Sequence, residues 1–151
     1  MSLQRVVITG LGAITPIGNS VADFWNQLID GKSGCANITS FDTSLFRTKF
    51  ACEVKNFDVA QYLDRKEARK MDRYTQYAVA VAKQAVTDSE LDLEKEDLNR
   101  IGVIFGAGIG GIQTFEEEVE NYVLNKANGP KFNPFFIPKM ISDIAAGQIS
   151  I

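Results

Sequence analysis

Glycine-rich turns are the first feature of this sequence that could support chemistry. Gly106, Gly108 and Gly111 have the spacing of a dinucleotide-binding fingerprint, between an apolar run and a helical pattern. That fingerprint also requires an acidic residue after a second strand, about 20 positions on, where this chain has an acidic helix and a proline-rich loop. The earlier turn, residues 9–18 (TGLGAITPIG), lacks the lysine of a phosphate-binding loop. The earlier turn is therefore interpreted as a strand-to-helix connection, and the glycines of the second turn as positions that permit positive φ and close backbone contact. No cofactor is predicted.

A basic cluster is the second candidate. Lys66, Arg69, Lys70 and Arg73 recur at positions i, i+3, i+4 and i+7, so on one continuous helix they share a face. Such a face is either simply solvated or a docking patch for an acidic partner, because complementary charge speeds association and sets orientation. The spacing alone leaves both interpretations open. The formal net charge of -3 argues against a nucleic-acid partner.

Cysteine and histidine usage limits the possible reactions. The chain has two cysteines, Cys35 and Cys52, and no histidine. The cysteine spacing is typical of no zinc or redox motif, and two cysteines are too few for a disulfide framework. We expect reduced thiols in the core of a cytoplasmic protein, and no metal site. The absence of histidine removes the side chain that most often transfers protons at neutral pH.

The hydrophobic pattern predicts an α/β architecture. Short apolar runs predict strands at Val6–Thr9 and Ile101–Phe105, and a weaker signal predicts another at Phe50–Val54. The amino terminus has no signal-peptide pattern, and no apolar stretch approaches the roughly 18 residues of a membrane span. We therefore expect a cytoplasmic protein outside the membrane.

Helices are predicted from apolar periodicity and capping residues. Ser20 is a candidate N-cap, and Asp64 with Glu67 has capping-box spacing. The proline-rich loop that ends at Pro138 contains NPFFIP, which is either a rigid cover of the core or a wall of an apolar pocket. The predicted helices are Val21–Asp30, Arg65–Thr87, Ile112–Leu124 and a last one that begins near Lys139 or Ser142.

Five long segments together resemble one family. RVVITGLGAITPIGN, FDTSLFRTKFACEVKNFD, DRKEARKMDRYTQYAVAVAKQA, RIGVIFGAGIGGI and GPKFNPFFIPKMISDIAAGQISI closely resemble the β-ketoacyl-[acyl carrier protein] synthase II family. The resemblance covers essentially all 151 residues in order. It implies a thiolase-like layered α/β/α/β/α fold built from two similar halves. Residues 1–151 are expected to form part of the first half, ending before the nucleophile helix, so that the fold is incomplete.

The resemblance also implies an activity. Members of the family are acyltransferases of fatty acid biosynthesis that work as homodimers and elongate acyl chains by decarboxylative condensation with malonyl-[acyl carrier protein]. Their nucleophilic cysteine and two histidines match no residue of this chain, so no catalytic residue is predicted and the chain alone is expected to be inactive. Two alternatives are a non-catalytic chain-length partner of a polyketide synthase and a module that binds a carrier protein.

Binding roles carry over by residue. Ile109 matches the family position that borders the acyl-chain pocket, and Phe136 and Ile137 match residues that reach this pocket from the neighbouring subunit. The resemblance favours docking of an acyl carrier protein over a solvated helix face. The matching basic positions are Lys66, Arg69 and Lys70, and Lys131 is expected to extend the patch.

Overall fold

The computed structural model describes residues 4–129 and 131–151. They fold into two compact units, one formed by residues up to Asp58 with Lys83–Leu91 and the other by Val59–Ala82 with Asp92–Ile151. The helices are α1 (Val21–Ile29), α2 (Arg65–Lys70), α3 (Arg73–Asp88), α4 (Ile112–Asn125), α5 (Phe136–Met140) and α6 (Ile144–Ser150), and the strands are β1 (Ala36–Asn37) and β2 (Phe50–Ala51).

Helix α1 begins where the capping residue predicts. Ser20 has extended backbone angles, and its Oγ accepts a hydrogen bond from the Asp23 amide at 3.0 Å. This bond satisfies one of the backbone donors that a helix leaves free in its first turn. The predicted start is confirmed, and the helix ends within one residue of the predicted position.

Side chains of α3 hold the first glycine-rich turn in the first unit. Asp88 Oδ2 accepts from the Leu11 amide at 2.8 Å, and Gln84 Oε1 accepts from the Ala13 amide at 2.9 Å. Gln84 Nε2 also donates to the Asn19 carbonyl at 2.9 Å. All the apolar side chains that are fully buried among the described residues lie in the second unit. Hydrogen bonds to α3 therefore contribute much of the order of this turn.

Two of the predicted strands do not form. Val6–Thr9 and Ile101–Phe105 pair with no other segment among the described residues. Most of their side chains are exposed, with Ile8 83% exposed and Ile104 fully exposed, whereas Val103 and Phe105 are half-buried. An extended apolar run becomes a strand only when a neighbour supplies ladder hydrogen bonds, and the described residues supply none. The predicted strand Phe50–Val54 is confirmed only for the two residues of β2, Phe50 and Ala51.

The single long helix predicted from Arg65 is also wrong. The chain breaks at Met71, which has extended backbone angles (φ −110, ψ 142) between α2 and α3. Asp72 Oδ1 accepts from the Tyr74 amide at 3.1 Å and so caps the start of α3. Gln76 Nε2 donates to the Ala68 carbonyl at the end of α2, at 2.9 Å. Arg73 consequently lies on a different helix from the other three cations.

The second unit has a core of small side chains around these helices. Met71, Ala78, Val79 and Ala80 are buried. The helix α5 begins at Phe136, inside the stretch predicted to be a loop, and α6 follows a short turn. The aromatic and proline residues of NPFFIP are therefore partly helical.

The hairpin of the first unit joins β1 to β2. Ala36 opposes Ala51 and Asn37 opposes Phe50 in antiparallel register. Cys35 and Cys52, which flank the two strands, are exposed free thiols. The prediction of core thiols is wrong, because the hairpin lies at the surface instead of between two layers.

The Glu53 carboxylate organises the turn beyond β1. Its oxygens accept from the Thr39 hydroxyl at 2.8 Å and from the amides of Thr39 and Ser40 at 3.0 and 3.2 Å. These hydrogen bonds, the one from the Thr39 side chain first, lower the pKa of Glu53 from 4.5 to about 2. The hydrogen bonds from Thr39 and Ser40 therefore stabilise the charged form of the Glu53 carboxylate.

We predict a pH dependence from this carboxylate. Because its pKa is lower in the folded state, its contribution to stability is complete above its ordinary pKa of 4.5 and is lost as the pH falls through about 2. A carbon-detected NMR titration of the Glu53 carboxyl should place its midpoint near the lower value. The Glu53→Gln variant should lose the matching movement of the Thr39 and Ser40 amide signals, and a midpoint near 4.5 would contradict the assignment.

Candidate functional site

The second glycine-rich turn packs directly against the end of α5. Gly110 has φ +91, and a Cβ built on Gly111 would lie 2.2 Å from the Lys139 carbonyl oxygen. The Gly111 amide donates to the Met140 carbonyl at 3.0 Å. A side chain at Gly111 would force the backbone of α5 away. The glycines therefore allow close backbone contact, as the sequence interpretation required.

A buried hydrogen bond ties the start of α4 to the helix break. Thr114 Oγ1 donates to Asp72 Oδ2 at 2.6 Å, and both residues are at least nine-tenths buried. The carboxylate thus bonds to the Thr114 hydroxyl with one oxygen and to the Tyr74 amide with the other. A buried carboxylate is tolerated when donors satisfy it.

Tyr74 forms a second long-range hydrogen bond in the same unit. Its hydroxyl donates to the carbonyl of Ile141, the residue that follows α5. Burial raises the pKa of Tyr74, and the nearby carboxylates of Asp72 and Asp143 act in the same direction. The phenol therefore stays protonated and remains a donor at physiological pH.

An open apolar cleft of about 620 Å³ lies in the same unit, with Ile141 at its wall. Ile109, on the glycine turn, borders it and is 71% exposed. The predicted pocket residue is therefore part of a real cleft. The remaining lining residues are Gly111, Ile112, Phe115, Met140, Ile141, Ser142 and Asp143.

Phe136 and Ile137, the other two predicted pocket residues, do not line this cleft. Phe136 stacks on Phe115 and on Phe132, with ring centroids 6.3 and 5.6 Å apart. Phe132 in turn stacks on Tyr122, at 5.4 Å. Ile137 is 54% exposed. The aromatic residues thus join α4 to α5, and Ile137 remains at the surface.

The short helix α2 presents the predicted docking cations. Asp64 caps it, with Oδ1 accepting from the amides of Lys66 and Glu67 at 2.7 and 2.9 Å. These backbone bonds lower the pKa of Asp64, the bond from Glu67 first. Lys66, Arg69 and Lys70 are exposed on α2, and Lys131 is exposed just before α5.

The four cations differ in how free their charges are. Lys70 Nζ lies 2.7 Å from Glu67 Oε1, so a carboxylate on its own helix partly neutralises it. Within residues 4–129 and 131–151, Lys66, Arg69 and Lys131 form no salt bridge. The charges of these three residues are therefore more available to a partner than the charge of Lys70.

A second cleft, of about 580 Å³, adjoins Arg69. Two further cations, Arg65 and Lys139, line it, and no carboxylate is among its described lining residues. Its other walls are mostly apolar and come from Val59, Ala60, Leu63, Ala68, Met71 and Gln76. The basic surface is thus wider than the sequence prediction and has an apolar floor.

The sequence interpretation missed several of these residues. Ile109, Ile112 and Phe115 recur every three positions, and this spacing could have identified the two additional cleft residues. No comparable signal identified Lys139, because it lies about 70 positions after Arg69 and only the fold brings both to one cleft.

In the part of the chain that the structure describes, no group of three or more His, Cys, Asp or Glu side chains could hold a metal ion. None of the described helices has the length and apolarity to cross a bilayer.

Residues 3–151 match the family described as "Beta-ketoacyl synthase, N-terminal domain", and the chain belongs to that family. It is 45% identical over 148 residues to 3-oxoacyl-[acyl-carrier-protein] synthase 2 of Staphylococcus aureus (strain COL), covering 98% of this chain. It is 46% identical over 149 residues to the protein of the same name from Synechocystis sp., again covering 98% of this chain. The chain spans about a third, 35%, of the length of each relative.

Solved structures agree. "The ishigamide ketosynthase/chain length factor" matches with a TM-score of 0.78 and 29% identity, covering 95% of this chain and 36% of that one. A type II PKS ketosynthase in complex with its acyl-carrier protein (AntDE:AntF) matches with a TM-score of 0.74 and 28% identity, covering 95% and 38%. A β-ketoacyl synthase from Burkholderia phymatum, 22% identical with a TM-score of 0.76, covers 98% and 36% and supports the fold alone. The predicted thiolase-like fold class is confirmed for the amino-terminal portion of such enzymes.

We predict that the Thr114→Val variant destabilises the second unit. It keeps the shape of the side chain but removes a donor from the buried Asp72 carboxylate, which should lower the free energy of unfolding by about 1–3 kcal/mol. A urea titration followed by circular dichroism measures the change. The exposed Thr87→Val substitution, on α3, is the matched control and should stay within about 0.5 kcal/mol of the wild type. Equal effects of the two substitutions would contradict the role given to this bond.

Proposed function

We propose that the chain is the amino-terminal portion of a 3-oxoacyl-[acyl carrier protein] synthase 2, an acyltransferase of fatty acid biosynthesis. The observation that carries this is 45% identity to such a synthase across 98% of the chain. In this proposal residues 1–151 belong to the first half of a thiolase-like fold. The nucleophilic cysteine and two histidines of the condensation lie elsewhere in the enzyme, and neither Cys35 nor Cys52 has a catalytic role.

The chain-length partner of a polyketide synthase is less well supported. The ketosynthase/chain length factor structure is 29% identical to this chain, against 45–46% for the two fatty-acid synthases described above. The apolar cleft at Ile109 fits either protein and does not decide between them. A carrier-protein-binding module without catalysis has no separate observation in its favour.

The cleft at Ile109 is proposed to accommodate the alkyl chain. Its walls are largely isoleucine, phenylalanine and methionine, side chains that favour an apolar ligand over a charged one. In the proposed homodimer Phe136 and Ile137 serve the acyl pocket of the neighbouring subunit. Their position outside the cleft of their own chain is compatible with that role, and the 54% exposure of Ile137 leaves it available for contact.

Acyl carrier protein is proposed to dock on the basic surface around α2. Carrier proteins of this pathway are acidic, and exposed cations without ion-pair partners raise the rate of association and orient the complex. Lys66, Arg69 and Lys131 meet that description among the described residues, and Lys70, whose charge Glu67 partly neutralises, is proposed to add to the surface. The structural neighbour in complex with an acyl-carrier protein supports such a partner. The enzyme is proposed to act in the cytoplasm.

We expect reversal of the docking charges to weaken binding of the carrier protein. The Lys66→Glu/Arg69→Glu variant replaces two attractions by two repulsions, which should raise the Kd by roughly tenfold or more at low salt. Isothermal titration calorimetry with purified acyl carrier protein measures this, and the difference should shrink as salt increases. Lys32→Glu, on an exposed lysine of the first unit, changes the net charge by two, against four for the double variant, without touching α2. Similar losses in both proteins would show that net charge, and not this surface, controls binding.

We expect substitution of Ile109 to shorten the acyl chains that the enzyme accepts. An Ile109→Trp side chain would fill the mouth of the cleft and should lower kcat/KM for long acyl chains relative to short ones by roughly tenfold or more. Product chain lengths from the complete synthase, determined by mass spectrometry, measure this. Leu124→Trp, at a site that is 73% exposed and outside the cleft, is the control. An unchanged product distribution would remove Ile109 from the acyl site.

A further inference from the structure

The two cysteines lie directly beyond the end of the hairpin ladder. The ladder pairs Asn37 with Phe50 and Ala36 with Ala51, and continuing this register by one step would set Cys35 opposite Cys52. In an antiparallel ladder, directly opposed side chains project from the same face of the sheet. The sixteen residues that separate Cys35 from Cys52 in the sequence do not predict this register, which only the folded hairpin defines.

The kind of ladder position matters for the two thiols. The Ile38 amide donates to the Lys49 carbonyl at 3.0 Å, which makes Ile38 and Lys49 a hydrogen-bonded pair. Hydrogen-bonded and non-hydrogen-bonded pairs alternate along an antiparallel ladder. Asn37 with Phe50 is therefore a non-hydrogen-bonded pair, and Ala36 with Ala51 is a hydrogen-bonded one. Continued by one step, Cys35 with Cys52 would again be a non-hydrogen-bonded pair. Opposed Cα atoms at such positions are about 4.5 Å apart, within the range of about 4.4–6.8 Å found for disulfides.

Contacts beyond the cysteines keep the two chain segments together. Lys55 Nζ donates to the carbonyl of Gly34 at 2.7 Å, which joins the residue before Cys35 to the segment after Cys52. The Asn19 side chain donates to the Lys55 carbonyl at 2.8 Å and holds that segment in turn. Both thiols are exposed, so an oxidant in solution can reach them.

We propose that Cys35 and Cys52 form a reversible modification site, in which an oxidant of the disulfide class converts the two thiols into a cross-strand disulfide. The thiolate of one cysteine attacks a sulfur of glutathione disulfide, forming a mixed disulfide and releasing one glutathione thiolate. The second cysteine thiolate then attacks the protein sulfur of that mixed disulfide and displaces the other glutathione. Both cysteine protons are released, and the two electrons reduce one glutathione disulfide to two glutathiones. The product would covalently close the loop of residues 36–51.

Peptide mapping after oxidation tests this site. The protein is diluted, incubated with glutathione disulfide, alkylated and digested with trypsin without reduction. Cleavage after Lys32, Arg47, Lys49 and Lys55 places the cysteines in separate peptides, Ser33–Arg47 and Phe50–Lys55. We expect these two peptides to be joined by a disulfide, the protein to lose two hydrogen atoms in mass, and dithiothreitol to restore both thiols.

A register-shifted variant separates this geometry from simple flexibility. The Cys52→Ser/Ala51→Cys variant moves the second thiol by one residue to the opposite face of the ladder, and the joined peptides should disappear. The Cys52→Ser variant should instead retain one glutathione on Cys35. Four outcomes would each overturn the proposal. In the wild type these are glutathione on both cysteines without joined peptides, cross-links between protein copies, and absence of reaction. In the shifted variant it is cross-linking equal to that of the wild type.

Discussion

The buried Asp72 carboxylate is the interaction on which the second unit depends. It occupies the break between α2 and α3, where Met71 is extended, and it accepts hydrogen bonds from the Tyr74 amide and the Thr114 hydroxyl. One side chain thus starts α3 and positions the first turn of α4. A Cβ on Gly111 would lie only 3.0 Å from Asp72 Oδ2, the oxygen that accepts from Thr114. A buried carboxylate needs hydrogen-bond donors in place of water. The helix break at Met71, the Thr114 hydroxyl and the space left by Gly111 are therefore coupled through Asp72.

The same break limits the basic surface that is proposed for docking. Because α2 ends at Lys70, its cations form a short exposed cluster instead of a stripe that continues through Arg73. The apolar cleft is built from the glycine turn, α4 and the end of α5, and the Tyr74 hydroxyl secures Ile141 at its wall. Family membership places these surfaces in a β-ketoacyl synthase N-terminal domain. The fold class therefore follows from the family, whereas the details of each surface follow from local hydrogen bonds.

The first unit is organised differently, by polar contacts more than by apolar burial. Gln84 and Asp88 of α3 bind the backbone of the first glycine turn, and Glu53 binds the turn after β1. Hydrogen bonds contribute only modestly to net stability but are strongly directional. This directionality explains how a two-residue ladder can keep a defined register, on which the proposed pairing of the two cysteines rests.

The sequence by itself determined the family, the start of α1 at Ser20, the cap of α2 at Asp64 and almost all of α4, because periodicity and capping act within a few residues. Through the resemblance it also singled out Ile109, which borders a cleft, and the cations of α2, which are exposed, and the binding roles of these residues stay predictions. Only the tertiary structure decided that Met71 interrupts the long helix, that Phe136 stacks against α4, that Lys139 shares a cleft with Arg69, and that Ala36 opposes Ala51 next to the two cysteines. Each of these depends on groups far apart in the chain. Local patterns carry no information about such contacts, since their free energy appears only when the distant partners have been brought together.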